Sequence, residues 1–305
     1  MHVLPCNYVI RVKNGGPKCR VVVLGCLQLY SVDYLETFAP VLKPATIRMI
    51  LALVAMLDLE CEQMDVVTAF LNGDLNVDIY MEISQGLKSS KNHGMVCKLM
   101  KPLYGLKQAP RQWYSKIHDY FLKDLGFSSS PNDPCLYTRH RSDSITITAL
   151  YVDDLLILGS SKQEITTWKR ELIKRFGMKN SVNAENMLGI EISRNRVERK
   201  LKICQHEYTK EVVKRFGMEN CRPVATPIDK SSLTKLNQED QLLPTNVPYR
   251  QATGPLIYLV SCTRPDIAFA VRRLSQYLFS KTSTCLLYTS PSPRDQRGSR
   301  MPSSA

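Results

Sequence analysis

The sequence lacks the features that mark membrane-spanning, secreted or zinc-stabilised proteins. Its longest apolar stretch, residues 47–57, is interrupted by Arg48 and is shorter than the roughly 20 residues that a membrane-spanning helix needs. The first residues lack the basic-then-apolar layout of a signal peptide, so we expect an intracellular, reducing compartment and no membrane association. The ten cysteines and five histidines are scattered, and no Cys-x-x-Cys pair occurs. This spacing argues against a structural zinc site and favours free thiols.

What the chain does have is an excess of positive charge. Its 305 residues include 41 Lys and Arg against 28 Asp and Glu, which gives a formal net charge of +13. Such an excess is typical of proteins with an anionic partner, nucleic acid included, and also of proteins whose basic side chains only face solvent. The length and the 44% hydrophobic content predict a sizeable core in one large domain or two ordinary ones.

Strand and helix signals follow one another irregularly, which predicts an α+β fold rather than a doubly wound sheet. A Gly-rich turn at residues 14–17 beside the β-rich residues 20–24 predicts a hairpin. Thr46 is expected to cap a helix that ends at Asp58, and Pro110 to lie in the first turn of another helix. Further helices are predicted over residues 162–176, 205–216, 249–260 and 265–279, the first two of them closed by C-cap glycines at Gly177 and Gly217.

The most informative pattern is Tyr151-Val152-Asp153-Asp154 between two apolar strands. A hairpin there would carry two carboxylates on its tip, although an Asp pair alone is typical of an ordinary turn. Asp65 ends another apolar strand, and a third carboxylate would join the pair if that strand lay beside the hairpin. Such a cluster is costly unless cations neutralise it, and two divalent ions about 3.5–4 Å apart serve phosphoryl transfer. Together these residues predict polymerase chemistry.

From about Lys18 to Ser280 the chain resembles the copia-type reverse transcriptases, the RNA-dependent DNA polymerase region of a retrotransposon Pol polyprotein. The resemblance is carried by six segments that occur in the same order as in the family: VDYLETFAPV (32–41), QMDVVTAFLNG (63–73), LYGLKQAPRQWY (103–114), YVDD (151–154), LGIEI (188–192) and TRPDIA (263–268). One such segment could arise by chance, but six in order could not.

The resemblance implies a right-hand polymerase fold of fingers and palm with a helical connecting region. Fingers and palm would occupy residues 1–220, and residues 221–280 would form a connector and thumb-like or connection-like helices. Residues 281–305 would be an unrelated tail, similar to translated cloning adapter, with a natural disordered tail as the alternative. In the family this region belongs to a larger polyprotein with ribonuclease H and integrase, and we expect no ribonuclease H domain here.

The resemblance also assigns roles to single residues. It implies that Asp65 and Asp153, with Asp154 beside them, are catalytic ligands of two Mg²⁺ ions. Phe70 matches the aromatic residue that excludes a 2′-hydroxyl, although from sequence alone an ordinary core Phe is the preferred interpretation. The nucleotide-binding residues implied in this way are Lys18, Arg20, Phe70, Tyr104 and Gly105, and the implied primer grip is Leu188, Gly189 and Ile190. Lys18 and Arg20, taken as lone basic residues, would be ordinary surface charges.

The expected reaction is attack of a primer 3′-hydroxyl on the α-phosphate of a deoxynucleoside triphosphate, directed by an RNA or DNA template, with pyrophosphate leaving. Magnesium suits the site because it is a hard ion that prefers oxygen ligands. Two alternatives remain open on the sequence. One is an inactive, truncated transposon remnant that still binds nucleic acid through its basic surface, and the other is a metal-dependent nuclease built on the same carboxylates.

Overall fold

The computed structural model describes residues 2–13, 16–141, 144–180, 184–228 and 248–278. The chain divides into two compact units between Ala184 and Glu185. The predicted tail at 281–305 and part of the predicted connector lie outside the described residues. The α+β class predicted from the sequence is confirmed. The functional division at residue 220, which rests on resemblance, stays a prediction.

Within the part of the first unit that the structure describes, there are three sheets and three helices. Its helices are α1 (Pro44–Met56), α2 (Ala109–Asp119) and α3 (Lys162–Phe176), and a π-helical turn, Tyr120–Asp124, continues α2. Its strands, in chain order, are β1 (Val3–Leu4), β2 (Cys6–Lys13), β3 (Gly16–Val23), β4 (Glu60–Val66), β5 (Tyr80–Glu82), β6 (Val96–Lys98), β7 (Ser128–Ser129), β8 (Leu136–Arg141), β9 (Ser144–Tyr151), β10 (Asp154–Gly159) and β11 (Met178–Asn180).

The largest sheet has the strand order β11-β4-β10-β9-β8-β7, and every neighbouring pair is antiparallel. Strand β10 is almost wholly buried from Leu155 to Gly159, as expected of a central strand whose two faces are both covered. Strand β4 alternates instead, with Glu62, Met64 and Val66 buried. The large sheet is therefore built around β10, and Asp65 and Asp154 are paired at the same end of β4 and β10.

Helix α3 packs against the face of β4 that carries Glu62. Glu62 and Lys169 of α3 form a buried ion pair, with 8% and 5% of their surfaces exposed. Trp113 of α2 makes an edge contact with Phe176 of α3, with ring centroids 5.3 Å apart. The two helices thus meet through aromatic rings, while α3 is tied to the sheet by a charge pair.

Two smaller β structures accompany the large sheet in the first unit. Strands β1, β5 and β6 form a three-stranded sheet, and β2 and β3 form a separate hairpin. A hydrophobic cluster packs between these pieces and the start of α2; its buried members are Leu4, Val23, Ile79, Met81, Leu106 and Ala109. Phe70 lies at its edge, half-buried. This cluster sets the position of the β2–β3 hairpin base.

The described residues of the second unit form a three-stranded antiparallel sheet and three helices. The strands are β12 (Asn186–Met187), β13 (Ile190–Asn195) and β14 (Lys200–Cys204), and the helices are α4 (His206–Arg215), α5 (Tyr249–Cys262) and α6 (Ala268–Ser275). Helices α5 and α6 share apolar clusters that include Tyr249, Leu259 and Leu274. In the described residues, no helix has the length and apolar character needed to cross a membrane.

Most predicted elements agree with the structure, including the first hairpin and the C-cap glycines. Gly177 and Gly217 both adopt the left-handed conformation, with φ of +62° and +65°. The prediction for Thr46 was wrong. The helix begins at Pro44, its N-cap is Lys43, and the Thr46 hydroxyl donates to Asp133 Oδ2 at 2.6 Å. Thr46 fails as a cap because Pro44 already supplies a preformed first turn.

Candidate active site

The β9–β10 turn carries the Asp pair, and two contacts hold this turn in place. The Trp113 Nε1 group donates to the Val152 carbonyl at 2.7 Å, and the Val66 amide donates to the Asp153 carbonyl at 3.0 Å. Val152 has φ +55°, a costly conformation for a β-branched residue. The surrounding structure therefore holds the turn in a strained shape, and residues strained in this way cluster at functional sites.

The register of the large sheet brings the third carboxylate to the same place. Asp65 of β4 is the direct partner of Asp154 of β10, and directly opposed residues of antiparallel strands project from the same face. Gln63, two residues before Asp65, donates from Nε2 to Asp154 Oδ1 at 3.4 Å. Lys179 of β11 is the partner of Asp65 on its other side. Strand β4 thus pairs with the β9–β10 hairpin, as a third carboxylate beside the Asp pair requires.

The carboxylates of the turn are electrostatically strained. Burial raises the pKa of Asp153 above its ordinary value, and the nearby charges of Asp65 and Asp154 raise it further, while Arg20 and the neighbouring Tyr104 hydroxyl oppose the shift. Burial also raises the pKa of Asp154, with a hydrogen bond from Gln63 opposing the shift and Asp65 adding to it. Negative charge is therefore costly at this tip, and a cation would stabilise it.

The residues at the tip suit a divalent metal in their donor chemistry. All three acids supply the oxygen ligands that Mg²⁺ prefers, and Asp153 Oδ1 is buried without a hydrogen-bond partner among the described residues. An unpartnered buried carboxylate oxygen is uncommon and calls for an explanation such as an ion. In the part of the chain that the structure describes, no three acidic, His or Cys side chains already enclose a metal-sized space. To bind one ion together, the carboxylate groups of Asp65, Asp153 and Asp154 would need to rotate toward one another.

Aromatic and basic side chains line the approach to Asp153. The Tyr104 ring lies 4.6 Å from the Phe70 ring, centroid to centroid, and the Arg20 guanidinium lies 5.1 Å from the Tyr104 centroid. Burial, and then the charge of Asp153, raise the pKa of Tyr104. Arg20, Tyr104 and Phe70 therefore form one continuous wall beside the acidic tip, and Arg20 is within electrostatic range of Asp153.

Gly105 has a structural reason to be glycine. Its φ is +98°, and a Cβ there would lie 2.0 Å from the Val23 carbonyl oxygen. A Cβ at Gly25 would likewise lie 1.9 Å from the Gly105 carbonyl oxygen. The close approach at Gly105 is therefore to the backbone at the end of β3, and the role of Gly105 beside a nucleotide stays a prediction.

The remaining predicted residues are placed as follows. Lys18 is exposed on β3, two residues before Arg20 and hence on the same face of the hairpin. Leu188 and Gly189 form the β12–β13 turn with φ of +56° and +71°, and Ile190 is buried at the start of β13. The Tyr258 hydroxyl donates to the Leu188 carbonyl. These three belong to the second unit, and their role in gripping a primer stays a prediction.

Sequence reasoning did not single out Trp113 or Gln63, which position the acidic turn and Asp154. A signal for Trp113 was present, because it lies one helical turn after Pro110 on the face of α2 that is buried. Gln63 carried no such signal, because its role depends on the register of β4 against β10.

Comparison with known proteins agrees with this geometry. Residues 5–230 match the family model described as reverse transcriptase (RNA-dependent DNA polymerase). The chain is 44% identical over 287 residues to a retrovirus-related Pol polyprotein from transposon TNT 1-94 of Nicotiana tabacum, an alignment that covers 90% of this chain and 22% of that protein. The Pol polyprotein from transposon RE1 of Arabidopsis thaliana is 39% identical, over 92% of this chain and 19% of the relative.

A shorter relative is matched over most of its own length. The putative transposon Ty5-1 protein of Saccharomyces cerevisiae is 30% identical over 247 residues, which are 75% of this chain and 79% of that protein. By contrast, this chain spans about a fifth of the plant polyproteins. The family match and the shared length together establish that the chain belongs to the reverse transcriptase (RNA-dependent DNA polymerase) family, with Pol polyproteins of copia-type transposons among its relatives.

Proposed function

We propose that this chain is an RNA-directed DNA polymerase domain that extends a primer by metal-dependent transfer of deoxynucleotides. The proposal rests on the arrangement of three acidic residues. Asp65 lies opposite Asp154 in the sheet, and the charges of Asp65 and Asp154 both act on Asp153. Three acids brought together at a partly buried tip repel one another and destabilise the fold, whereas divalent cations bound there would neutralise them and could contact a triphosphate.

In the proposed reaction the protein contributes ligands, position and charge. Asp65, Asp153 and Asp154 would hold two Mg²⁺ ions, which when bound supply charge neutralisation for the transferred phosphoryl group. Trp113 and the Val66 amide keep the Asp153 turn from moving as charge accumulates. Such preorganised groups stabilise charge where it develops in the transition state, which is the larger part of catalysis in phosphoryl transfer.

The wall beside the tip would receive the incoming nucleotide. Arg20, half-buried and next to Tyr104, has a charge that can offset triphosphate oxygens, and Lys18 lies farther along the same face of the hairpin. Phe70 and Tyr104 would contact the sugar and the new base pair. Leu188, Gly189 and Ile190 of the second unit would act as the primer grip, and the functional boundary between the polymerase and connecting regions would fall near residue 220.

The partners follow from this reaction. They would be an RNA or DNA template paired with a primer and the four deoxynucleoside triphosphates, within a larger polyprotein that also carries ribonuclease H and integrase. The basic excess of the whole chain favours binding to phosphate backbones, and the reaction would take place inside the cell.

A primer-extension assay tests the proposal against its two rivals. A labelled DNA primer on an RNA template is incubated with the chain and Mg²⁺, with and without deoxynucleotides. We expect products longer than the primer only when deoxynucleotides are present. Shortened strands in the absence of nucleotides would indicate a nuclease, and binding without any change in strand length would indicate an inactive remnant.

Phe70 provides a specificity test. If its ring lies under the sugar, it excludes ribonucleotides by a steric clash, so Phe70→Val should raise ribonucleotide incorporation relative to deoxynucleotide incorporation. If Phe70 only fills the edge of the hydrophobic cluster, truncation creates a cavity and costs somewhat less than the roughly 3–5 kcal/mol of a Phe→Ala change. Both activities would then fall together with the melting temperature. The ratio of the two kcat/KM values, measured on one preparation, distinguishes these cases.

A further inference from the structure

A row of buried amide side chains joins the base of the β2–β3 hairpin to the loop that carries Tyr104. We propose that Gln28 is a positioning residue for nucleotide addition: it locks residues 104–108 onto the end of the hairpin and so fixes the Tyr104 ring beside Asp153. The inference rests on the proposed function, because its effect is on the use of nucleotides. Gln28 lies outside the six segments that carry the family resemblance.

Gln28 uses every polar group of its side chain. It is 4% exposed. Its Oε1 accepts from the Lys107 backbone amide at 2.7 Å, and its Nε2 donates to Gln108 Oε1 at 3.0 Å. The Gln28 backbone carbonyl also accepts from Lys107 Nζ at 3.2 Å. A glutamine buried to this degree and bonded at both ends of its amide links two segments that are 79 residues apart in sequence.

The hydrogen bonds in this row can run in only one direction. Lys107 supplies a backbone N–H at one end, so the Gln28 oxygen must face it and the Gln28 amino group must face Gln108. Gln108, 1% exposed, then presents its own amino group to the Asp33 carbonyl, to which it donates at 2.8 Å. Because a backbone donor and a backbone acceptor fix the two ends, neither amide can flip without leaving a buried group unpaired.

The backbone around this row is in close contact. The Val23 amide donates to the Tyr104 carbonyl at 2.9 Å, and Gly25 and Gly105 approach so closely that neither position tolerates a Cβ. Such packing leaves little room for the loop to adjust if the amide row is broken. A change at Gln28 should therefore move the Tyr104 ring rather than be absorbed locally.

The effect should fall on nucleotide affinity. Tyr104 forms the wall between Arg20 and Phe70, where the incoming nucleotide is proposed to bind, whereas contacts with the template–primer backbone depend on basic side chains elsewhere. Displacing that wall weakens a binding contact made equally in the ground state and the transition state, which raises KM more than it lowers kcat.

Gln28→Glu is the sharpest variant, because it keeps the shape and replaces one donor by an acceptor that faces Gln108 Oε1. At pH 8 we expect the KM for deoxynucleotides to rise about tenfold, the typical effect of one mispaired buried group, with template–primer affinity within about twofold of the parent. Gln163→Glu, the same substitution at an exposed position on α3, should leave KM unchanged. A KM ratio for Gln28→Glu equal to that of Gln163→Glu would overturn the proposal.

Two further measurements separate a positioning role from general damage. Lowering the pH toward 6 should protonate the introduced carboxyl group, whose pKa burial raises, and so restore a donor toward Gln108. The KM ratio of variant to parent should then return toward one. A ratio that stays elevated at pH 6, in a variant that melts like the parent, would contradict the hydrogen-bond mechanism.

Hydrogen exchange at the Lys107 amide tests the contact without any activity. At pH 8 this amide should exchange at least about tenfold faster in Gln28→Leu, which removes the acceptor of the Lys107 N–H, than in the parent, while amides of β10 remain protected as before. Unchanged Lys107 exchange would refute the lock itself. The parent chain could fail to extend a primer while Lys107 exchange still responds as expected. The proposed polymerase function would then be wrong, and the Gln28 hydrogen bonds would be a structural contact without a positioning role.

Discussion

Asp153→Asn should abolish nucleotide addition while leaving template–primer binding largely intact. The substitution removes the charge of a half-buried acid whose buried Oδ1 has no partner among the described residues, yet it leaves the basic surface unchanged. Loss of a single stabilising donor in catalysis commonly costs about 100–1000-fold in kcat, and loss of a metal ligand should cost at least as much. Single-turnover primer extension and a binding titration on the same preparation measure the two effects.

Asp119→Asn is a suitable control, because Asp119 is an exposed acid on α2 that pairs with Lys123. It should extend primers at the parent rate. Extension by Asp153→Asn within a few-fold of that rate would show that Asp153 is not a metal ligand.

The same substitution should stabilise the metal-free protein. The pKa of Asp153 is raised in the folded state, so the folded chain binds a proton more tightly than the unfolded chain does. Stability that is present below the ordinary aspartate pKa is therefore lost as the pH rises through the raised pKa. At neutral pH the charged carboxylate destabilises the fold, and Asp153→Asn should raise the melting temperature in EDTA. A lower melting temperature would mean that the carboxylate contributes structural contacts.

The second large effect concerns the buried ion pair between Glu62 and Lys169. Lys169→Met keeps most of the side-chain volume but leaves Glu62 buried, 8% exposed, without its cation. Breaking a buried pair from one side typically costs about 3–5 kcal/mol. We expect a loss of that size in the free energy of unfolding, measured by urea denaturation of the metal-free protein.

Two variants calibrate that loss. Lys123→Met breaks the exposed i,i+4 pair with Asp119, and surface pairs of this kind contribute about 0.5 kcal/mol or less. Combining Lys169→Met with Glu62→Leu removes both charges, and the double variant should regain most of the lost stability, because well-packed apolar residues replace buried pairs at little cost. A loss for Lys169→Met no larger than for Lys123→Met would show that the pair is solvated.

The sequence was informative where local pattern decides structure. The β9–β10 hairpin was predictable because two apolar runs flank a short polar turn, and the α3 bounds because glycine closes the helix at Gly177. Thr46 misled because several residue types can begin a helix, and the proline two residues earlier had the stronger effect. The spacing of residues alone does not show which of several candidate residues will begin a helix.

The sequence predicted the acidic residues of the site but not the residues that hold them in position. Asp65 stood out as a charge at the end of an apolar strand and Asp153 as a charge between two apolar strands. Their proximity depends on β4 pairing with β10, two strands that lie far apart in the sequence. The Gln28–Gln108 contact is equally distant, and a glutamine in a loop has no pattern that indicates burial. Long-range polar contacts of this kind become visible only once the chain is folded.

The most direct test of the central claim is the rate of primer extension by the parent chain as the Mg²⁺ concentration is raised from zero in a metal-free preparation. The acidic tip formed by Asp65, Asp153 and Asp154 is proposed to work only when cations neutralise it. The predicted result is no extension in EDTA, a rate that rises with Mg²⁺ to a plateau, and products that lengthen one nucleotide at a time. Extension at the same rate in EDTA, or none at any Mg²⁺ concentration, would contradict the account.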